Sequence, residues 1–254
     1  MNITRSGTLW SAVFLVLALC LLSTESGLAQ KNGPGWGEIW QQRMTIGQAQ
    51  LDSAFKLAET GKVDQALAMI DQVIATDPNN WRSYFLKSAV LVLAKRGSEA
   101  LIQIDTSINL ARRSNVSDGL LAELYESKAR SCIDYGRYDE AKKSLEQAVH
   151  LQPTDPTTLN DLAWMLATSK DNRVRDGRRA VAIATKACTL SNWKNAFSVD
   201  TLAAASATAG NFSDAVKYQQ LAISLLDLEN RKAQLPGMEQ RLRQYSSGQT
   251  FTGI

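Results

Sequence analysis

Histidine is almost missing from this chain: one imidazole, His150, and three cysteines stand among 254 residues. A closed structural zinc site needs four N or S ligands, so so few donors limit the metal options severely. Proline and glycine are also scarce, at 5 and 15, which excludes a collagen-like chain. The low cysteine count excludes a disulfide-stapled fold. Charge of one sign is lacking too: 28 Lys plus Arg face 25 Asp plus Glu, for a net +3. A nucleic-acid-binding domain usually carries a concentrated basic excess, so no nucleic-acid partner is expected. What is present is ordinary globular material, 44 % apolar and 21 % charged, with several segments rich in Ala and Leu. Wholesale disorder is excluded and an all-helical fold leads.

No apolar run reaches the ~20 residues that a membrane-spanning helix needs. The longest at the N-terminal end covers eleven residues, Ala12 to Leu22, preceded by a single charge at Arg5. That is the pattern of a secretory signal peptide, and Gly27 and Ala29 are small where a signal peptidase reads. Residues 1–29 are therefore expected to be a signal peptide cleaved after Ala29, followed by a linker or N-terminal cap over 30–46. The protein is expected in the periplasm or cell envelope, or secreted. The rival is retention at the membrane, through an uncleaved signal or a lipid anchor on Cys20, although Leu19 is larger than the residue that precedes a lipidated cysteine. Cleavage removes Arg5, Glu25 and Cys20, so the mature charge stays +3 and Cys132 and Cys188 remain.

The chain repeats itself. Gly61-Lys62-Val63-Asp64-Gln65-Ala66 returns as Gly136-Arg137-Tyr138-Asp139-Glu140-Ala141 and as Gly210-Asn211-Phe212-Ser213-Asp214-Ala215. Each copy joins two amphipathic stretches and reads as the turn of a helical hairpin. Glycine ends the first helix in a left-handed conformation without a Cβ penalty. The alanine lets the second helix approach the first closely. Weaker copies centre on Ala100 and Ala180, so the five alanines are spaced by 34, 41, 39 and 35 residues. Pro78 and Pro153 close the second helices of two copies.

The pattern resembles the tetratricopeptide repeat, a family of paired antiparallel helices. The resemblance implies an all-α helical-hairpin solenoid, a right-handed superhelix with a C-terminal capping helix. Five units are expected, 47–80, 81–114, 122–155, 156–194 and 196–229, with a capping helix and flexible tail over 230–254. Lys95-Arg96-Gly97 lacks the glycine two residues earlier, so the second turn is expected to be altered. Asn115 to Asp118 is inserted before the third unit, and Ser169 to Arg179 forms a long basic loop. The string Leu162 to Thr168, Arg175-Asp176-Gly177, Trp193-Lys194 and Asp200 to Ala205 is similar to exported repeat proteins of planctomycete-type bacteria. So is the ending Arg241-Leu242-Arg243-Gln244-Tyr245.

A lone hairpin cannot bury its apolar face, so stability is expected from stacked neighbours. Leu228, Leu235, Met238 and Leu242, on a segment broken at Pro236-Gly237, are expected to cap one end, and Trp36, Ile39 and Trp40 the other. In this family the first helices line a concave groove, and the resemblance places Leu51, Phe55, Phe85, Ala89 and Val92 there. Glu123, Glu126, Arg130 and Asp134 follow, then Asn160 and Trp164, then Asp200. The peptide-binding residues expected are Leu51, Phe55, Phe85, Val92, Glu126, Arg130, Asn160 and Trp164. Leu51 and Phe55 stand where relatives that grip carboxylate termini carry Lys, Asn and Arg, so no such clamp is expected. A groove apolar at one end and acidic in its middle suits a basic extended peptide or amphipathic helix. The alternative is that Phe55 and Phe85 only pack between units.

No catalytic, cofactor or metal site is expected. His150 has no triad partner in view. Ser53-Ala54-Phe55-Lys56 has the spacing of a serine–lysine hydrolase but lies inside a repeat helix without companion motifs. No phosphate-binding glycine loop or EF-hand loop occurs. Lys170, Arg173, Arg175, Arg178 and Arg179 form a basic loop without interleaved aromatics, offset by Asp171 and Asp176. Cys132 and Cys188 fall on helices that are not immediate neighbours and are expected to be buried free thiols. The leading function is a non-enzymatic module that binds a protein or peptide of unknown identity. The alternative is a structural envelope component that self-associates.

Overall fold

The computed structural model describes residues 36–253, with side chains described from Gly47 onward apart from Leu228 and Glu229. The expected signal peptide 1–29, residues 30–35 and the side chains of Trp36, Ile39, Trp40 and Leu228 lie outside that range. The described residues form eleven α-helices and no strand. They are α1 Trp36–Glu59, α2 Val63–Thr76, α3 Trp81–Leu93, α4 Gly97–Arg113, α5 Asp118–Asp134 and α6 Tyr138–Leu151. They continue as α7 Pro156–Thr168, α8 Gly177–Leu190, α9 Ala196–Thr208, α10 Phe212–Ser224 and α11 Leu228–Ser246. The chain divides within α5 into two compact units, one ending at Ser131 and the other starting at Cys132.

The hairpin turns follow one scheme. Gly61, Gly136 and Gly210 take left-handed backbone with φ of 79°, 71° and 87°. Each glycine N–H bonds three residues back, and the next N–H bonds five residues back, as in Lys62 N to Leu57 O at 2.9 Å and Arg137 N to Cys132 O at 2.8 Å. This closes the orphan carbonyls of the first helix. Ala66, Ala100, Ala141, Ala180 and Ala215 are all fully buried at the start of a second helix.

The second turn is not altered. Lys95 itself adopts φ 59° and makes the same pair of bonds, Lys95 N to Val92 O and Arg96 N to Leu91 O, both 2.9 Å. The hairpin geometry outweighs the steric cost of a Cβ in left-handed backbone.

In the first unit, α1 pairs with α2 and α3 with α4. Leu51, Ala54, Phe55 and Ala58 of α1 meet Leu67, Ile70 and Val73 of α2 and Leu86, Val90 and Leu91 of α3 in one cluster. Asn80 caps α3 by accepting from Arg82 N at 3.1 Å, which holds α3 at its start.

In the second unit α7 pairs with α8 and α9 with α10, while α6 packs on α7 and α11 on α10. Helix α9 (AFSVDTLAAASAT) is the centre: α7, α8, α10 and α11 all touch it, and 11 of its 13 residues are buried. Its small side chains permit that crowding. The approach is close at Gly177, where an added Cβ would lie 2.5 Å from Ala209 N. Asp176 caps α8 by accepting from Arg179 N at 3.0 Å. Thus the Arg175-Asp176-Gly177 turn seats α8 against the end of α9.

Helix α11 corrects one expectation. It is continuous from Leu228 to Ser246 with Pro236 inside it, rather than broken at Pro236-Gly237. Pro236 and Lys232, whose carbonyl the proline leaves without an N–H partner, are both exposed. A missing helix bond on an exposed flank costs less than one in a core. Met238 is fully buried and joins Val199, Leu202, Ala222 and Leu226 in the core, with Leu235 against it, so α11 covers the apolar side of the last hairpin.

Candidate functional site

The eight residues expected to form a binding groove divide between the two units. In the first unit Leu51, Phe55 and Phe85 are 0, 3 and 0 % exposed. These three are core residues, which corrects the expectation that they line an open groove. A first helix sandwiched between neighbours must bury aromatic residues on its flanks, and Phe55 fills that role beside Ile70 and Val73. Val92 is half-buried against the same cluster.

Glu123, Glu126 and Arg130 lie at helical spacing on α5. Glu126 is mostly buried and pairs with Arg130 at 3.5 Å. Arg130 Nε has no hydrogen-bond partner. Burial raises the Glu123 carboxyl above its ordinary range, and the Arg130 charge opposes that rise. Lys128 on the same helix reaches Asp105 of α4 at 2.6 Å. Asp134, at the end of α5 in the second unit, is also pushed upward by burial.

The second unit brings Trp164 and Asp200 together with residues that spacing alone did not assign to the face. Helices α7, α9 and α11 lie in sequence, α7 beside α9 and α9 beside α11. Asp200 of α9 is only 7 % exposed at its side chain and receives a two-pronged bond from Arg241 of α11, Nε to Oδ1 at 2.9 Å and Nη2 to Oδ2 at 2.8 Å. Gln219 of α10, fully buried, donates Nε2 to the same Oδ1 at 2.6 Å. A carboxylate held by a planar guanidinium and an amide is fixed in orientation. The Arg241 guanidinium lies 5.5 Å from the Trp164 ring and 5.3 Å from the Phe251 ring, and the two rings stand 5.9 Å apart at 44°. Such distances suit cation–π attraction.

Asn160 sits one turn before Trp164 on α7, and its buried Oδ1 has no hydrogen-bond partner. Tyr245 of α11 is 1 % exposed, with its hydroxyl proton held well above the usual tyrosine range, first by burial and then by the Asp200 charge. Arg241 and Phe251 were not picked out by the repeat pattern. The available signal was Asp200, a single acid in an otherwise apolar and small-residue helix, which demands a cationic or amide partner when buried.

The remaining chemical candidates have mundane surroundings. The Ser53 hydroxyl donates to Ala49 O at 2.8 Å and is exposed, and His150 is exposed at the end of α6. In the basic loop Arg173 grips Asp171, whose carboxyl is lowered to about 2 by that side-chain bond and by the Arg173 N–H. Arg175 bonds Ser169 O and Asn172, and Arg179 reaches Glu146 of α6 at 2.6 Å. Of the five cations expected in one basic loop, Arg178 and Arg179 stand on α8 instead, and Arg173 is ion-paired within the loop. Cys132 and Cys188 are both buried, and burial pushes the Cys188 thiol up to about 11. Among the described residues no three His, Cys, Asp or Glu side chains gather as a metal site, and no helix is long and apolar enough to cross a membrane.

Two tetratricopeptide-repeat family models match the sequence, one over residues 56–108 and one over 122–155. Those two stretches are recognised as tetratricopeptide repeats. No curated protein matches it. Solved repeat structures do. YrrB, described as a TPR protein with an unusual peptide-binding site, is 15 % identical with a TM-score of 0.56, covering 75 % of this chain and 90 % of its own. MamA protein is 16 % identical with a TM-score of 0.57, over 74 % of this chain and 94 % of its own. A Podosopora anserina putative kinesin light chain with TPR-like repeats is 16 % identical at 0.58, over 73 % and 96 %. At these identities the likeness concerns the fold.

Proposed function

We propose that this protein is an exported, non-enzymatic interaction module that binds an extended segment of a partner protein across the face of α7, α9 and α11. The observation that carries the proposal is the Trp164–Asp200–Arg241 arrangement. Three successive first-position helices place an aromatic ring, a fixed carboxylate and a fixed guanidinium side by side, on a fold whose solved relatives include a protein described as having a peptide-binding site. Rigid helices that hold polar groups in place bind with little ordering cost. The apolar run Ala12 to Leu22, with small residues at Gly27 and Ala29, supports export.

The test is cross-linked capture with the full chain in the envelope fraction of its own cells, read by mass spectrometry. Trp164→Ala is compared with Lys186→Ala, a change at an exposed site on α8. A partner lost with Trp164→Ala and kept with Lys186→Ala supports the proposal. Equal recovery with both variants refutes the assigned face, and recovery of the bait alone cross-linked to itself favours self-association.

A further inference from the structure

The segment that follows α11 does something the hairpin turns do not. Gly248 takes φ 71° and bonds Tyr245 O at 3.1 Å, and Gln249 N bonds Gln244 O at 2.9 Å, the same turn scheme that elsewhere starts a second helix. No helix follows. Residues 249–253 instead run without regular structure back to α7, where Gly253 N–H donates to Thr168 O at 3.0 Å. On the way Phe251 lays its ring on Trp164 and Arg241. Gly253 rests against that ring so closely that an added Cβ would collide with it.

We propose that the Trp164–Arg241 shelf is a binding site for an aromatic side chain on an extended peptide, and that Phe251 occupies it in cis. The inference rests on the interaction reading above and names the chemistry of its ligand. The shelf is built without the segment: Arg241 is held by Asp200, Asp200 by Gln219, and Trp164 by its helix. An arginine fixed beside an indole offers one aromatic ring a tilted contact on one and a cation on the other. The Thr168 carbonyl at the end of α7 adds a backbone acceptor for an N–H two residues beyond the ring.

The occupant is lightly held. Gln249, Thr250, Thr252 and Gly253 are exposed and Phe251 is only half-buried. Beyond the Gln249 turn bond to α11, it is held by the Phe251 ring and the Gly253 N–H, so it belongs to the low-stability part of the unit. A short tether nevertheless presents Phe251 at an effective concentration on the order of millimolar. A partner must outcompete it, so the segment sets a threshold on binding. The ligand that fits is a peptide reading aromatic-x-small in extended conformation, as Phe251-Thr252-Gly253 does.

The probe is a fluorescein-labelled peptide of the sequence SGQTFTGI, residues 247–254, followed by polarisation against the full chain. Phe251→Ala is expected to bind it at least tenfold more tightly than the unaltered chain. Gly253→Ala, which displaces the ring without removing it, is expected to shift binding in the same direction. Adding Trp164→Ala, or replacing the peptide's Phe by Ala, is expected to lower the affinity at least tenfold. If helical Phe251→Ala protein binds the Phe and Ala peptides equally or not at all, the segment is only a clasp and the proposal is overturned. Failure of the broader reading looks different: peptide binding at the shelf persists while capture of the cellular partner ignores Trp164→Ala.

Discussion

Removing the Arg241 guanidinium should damage the second unit far more than loss of a surface charge. The Asp200 and Arg241 side chains are 7 and 13 % exposed, so Arg241→Ala strands a carboxylate inside the protein with the Gln219 amide as its remaining described partner. Breaking a buried pair by deleting one member costs about 3–5 kcal/mol. The guanidinium also bridges Trp164 and Phe251, contacts of about 0.5–2 kcal/mol in general, which overlap with the first figure and do not simply add. The expected loss is therefore about 3–5 kcal/mol in urea unfolding followed by far-UV circular dichroism. Combining Arg241→Met with Asp200→Leu removes both charges and should recover much of that loss, because two apolar side chains need no partner. If Arg241→Ala costs under ~1 kcal/mol, the range of an exposed pair, or if the double variant is merely additive, the pair is not the buried anchor described above.

Gly177→Ala would push a methyl into the Ala209 and Thr208 backbone and should cost about 1–3 kcal/mol; an unchanged urea midpoint would refute the close approach of α8 to α9. Lys95→Gly should raise stability by about 0.5–1 kcal/mol by relieving a left-handed lysine, and a loss of stability would show that the Lys95 side chain contributes more than its backbone costs. Glu123→Gln should stabilise at neutral pH. Its folded pKa lies above the ordinary 4.5 because burial disfavours the charge, so the folded state binds the proton more tightly and stability falls as pH climbs from about 4.5 through the raised value. The gain in thermal midpoint should be present at pH 7 and vanish at pH 4; equal gains at both would exclude ionisation as the cause.

Much of the fold was legible because its signals are local. Gly61, Gly136 and Gly210 each announce a left-handed turn, and the alanines five residues later announce a close helix crossing. Where the glycine was missing, at Lys95, local chemistry misled, since two packed helices impose the turn on whatever residue stands there. Pro236 misled in the same way, because an exposed helix flank tolerates a missing N–H. The candidate face was harder to read. Phe55 and Phe85 have the spacing of a lining residue and of a core residue alike, and only the neighbours across the layer decide. The Arg241–Asp200 bond joins positions 41 residues apart on different helices, which the spacing within one helix does not reveal, and the return of Phe251 to Trp164 depends on where α11 stops.

The most direct test of the account places a photo-cross-linking amino acid at Asn160, on the α7 face beside Trp164, and another at Lys186 on α8, in the full chain expressed in its own cells. The account predicts that the probe at 160 captures another protein, that a Phe251→Ala background raises the yield, and that the probe at 186 captures nothing in common with it. Identical products from both positions, or none from 160 in either background, would contradict it.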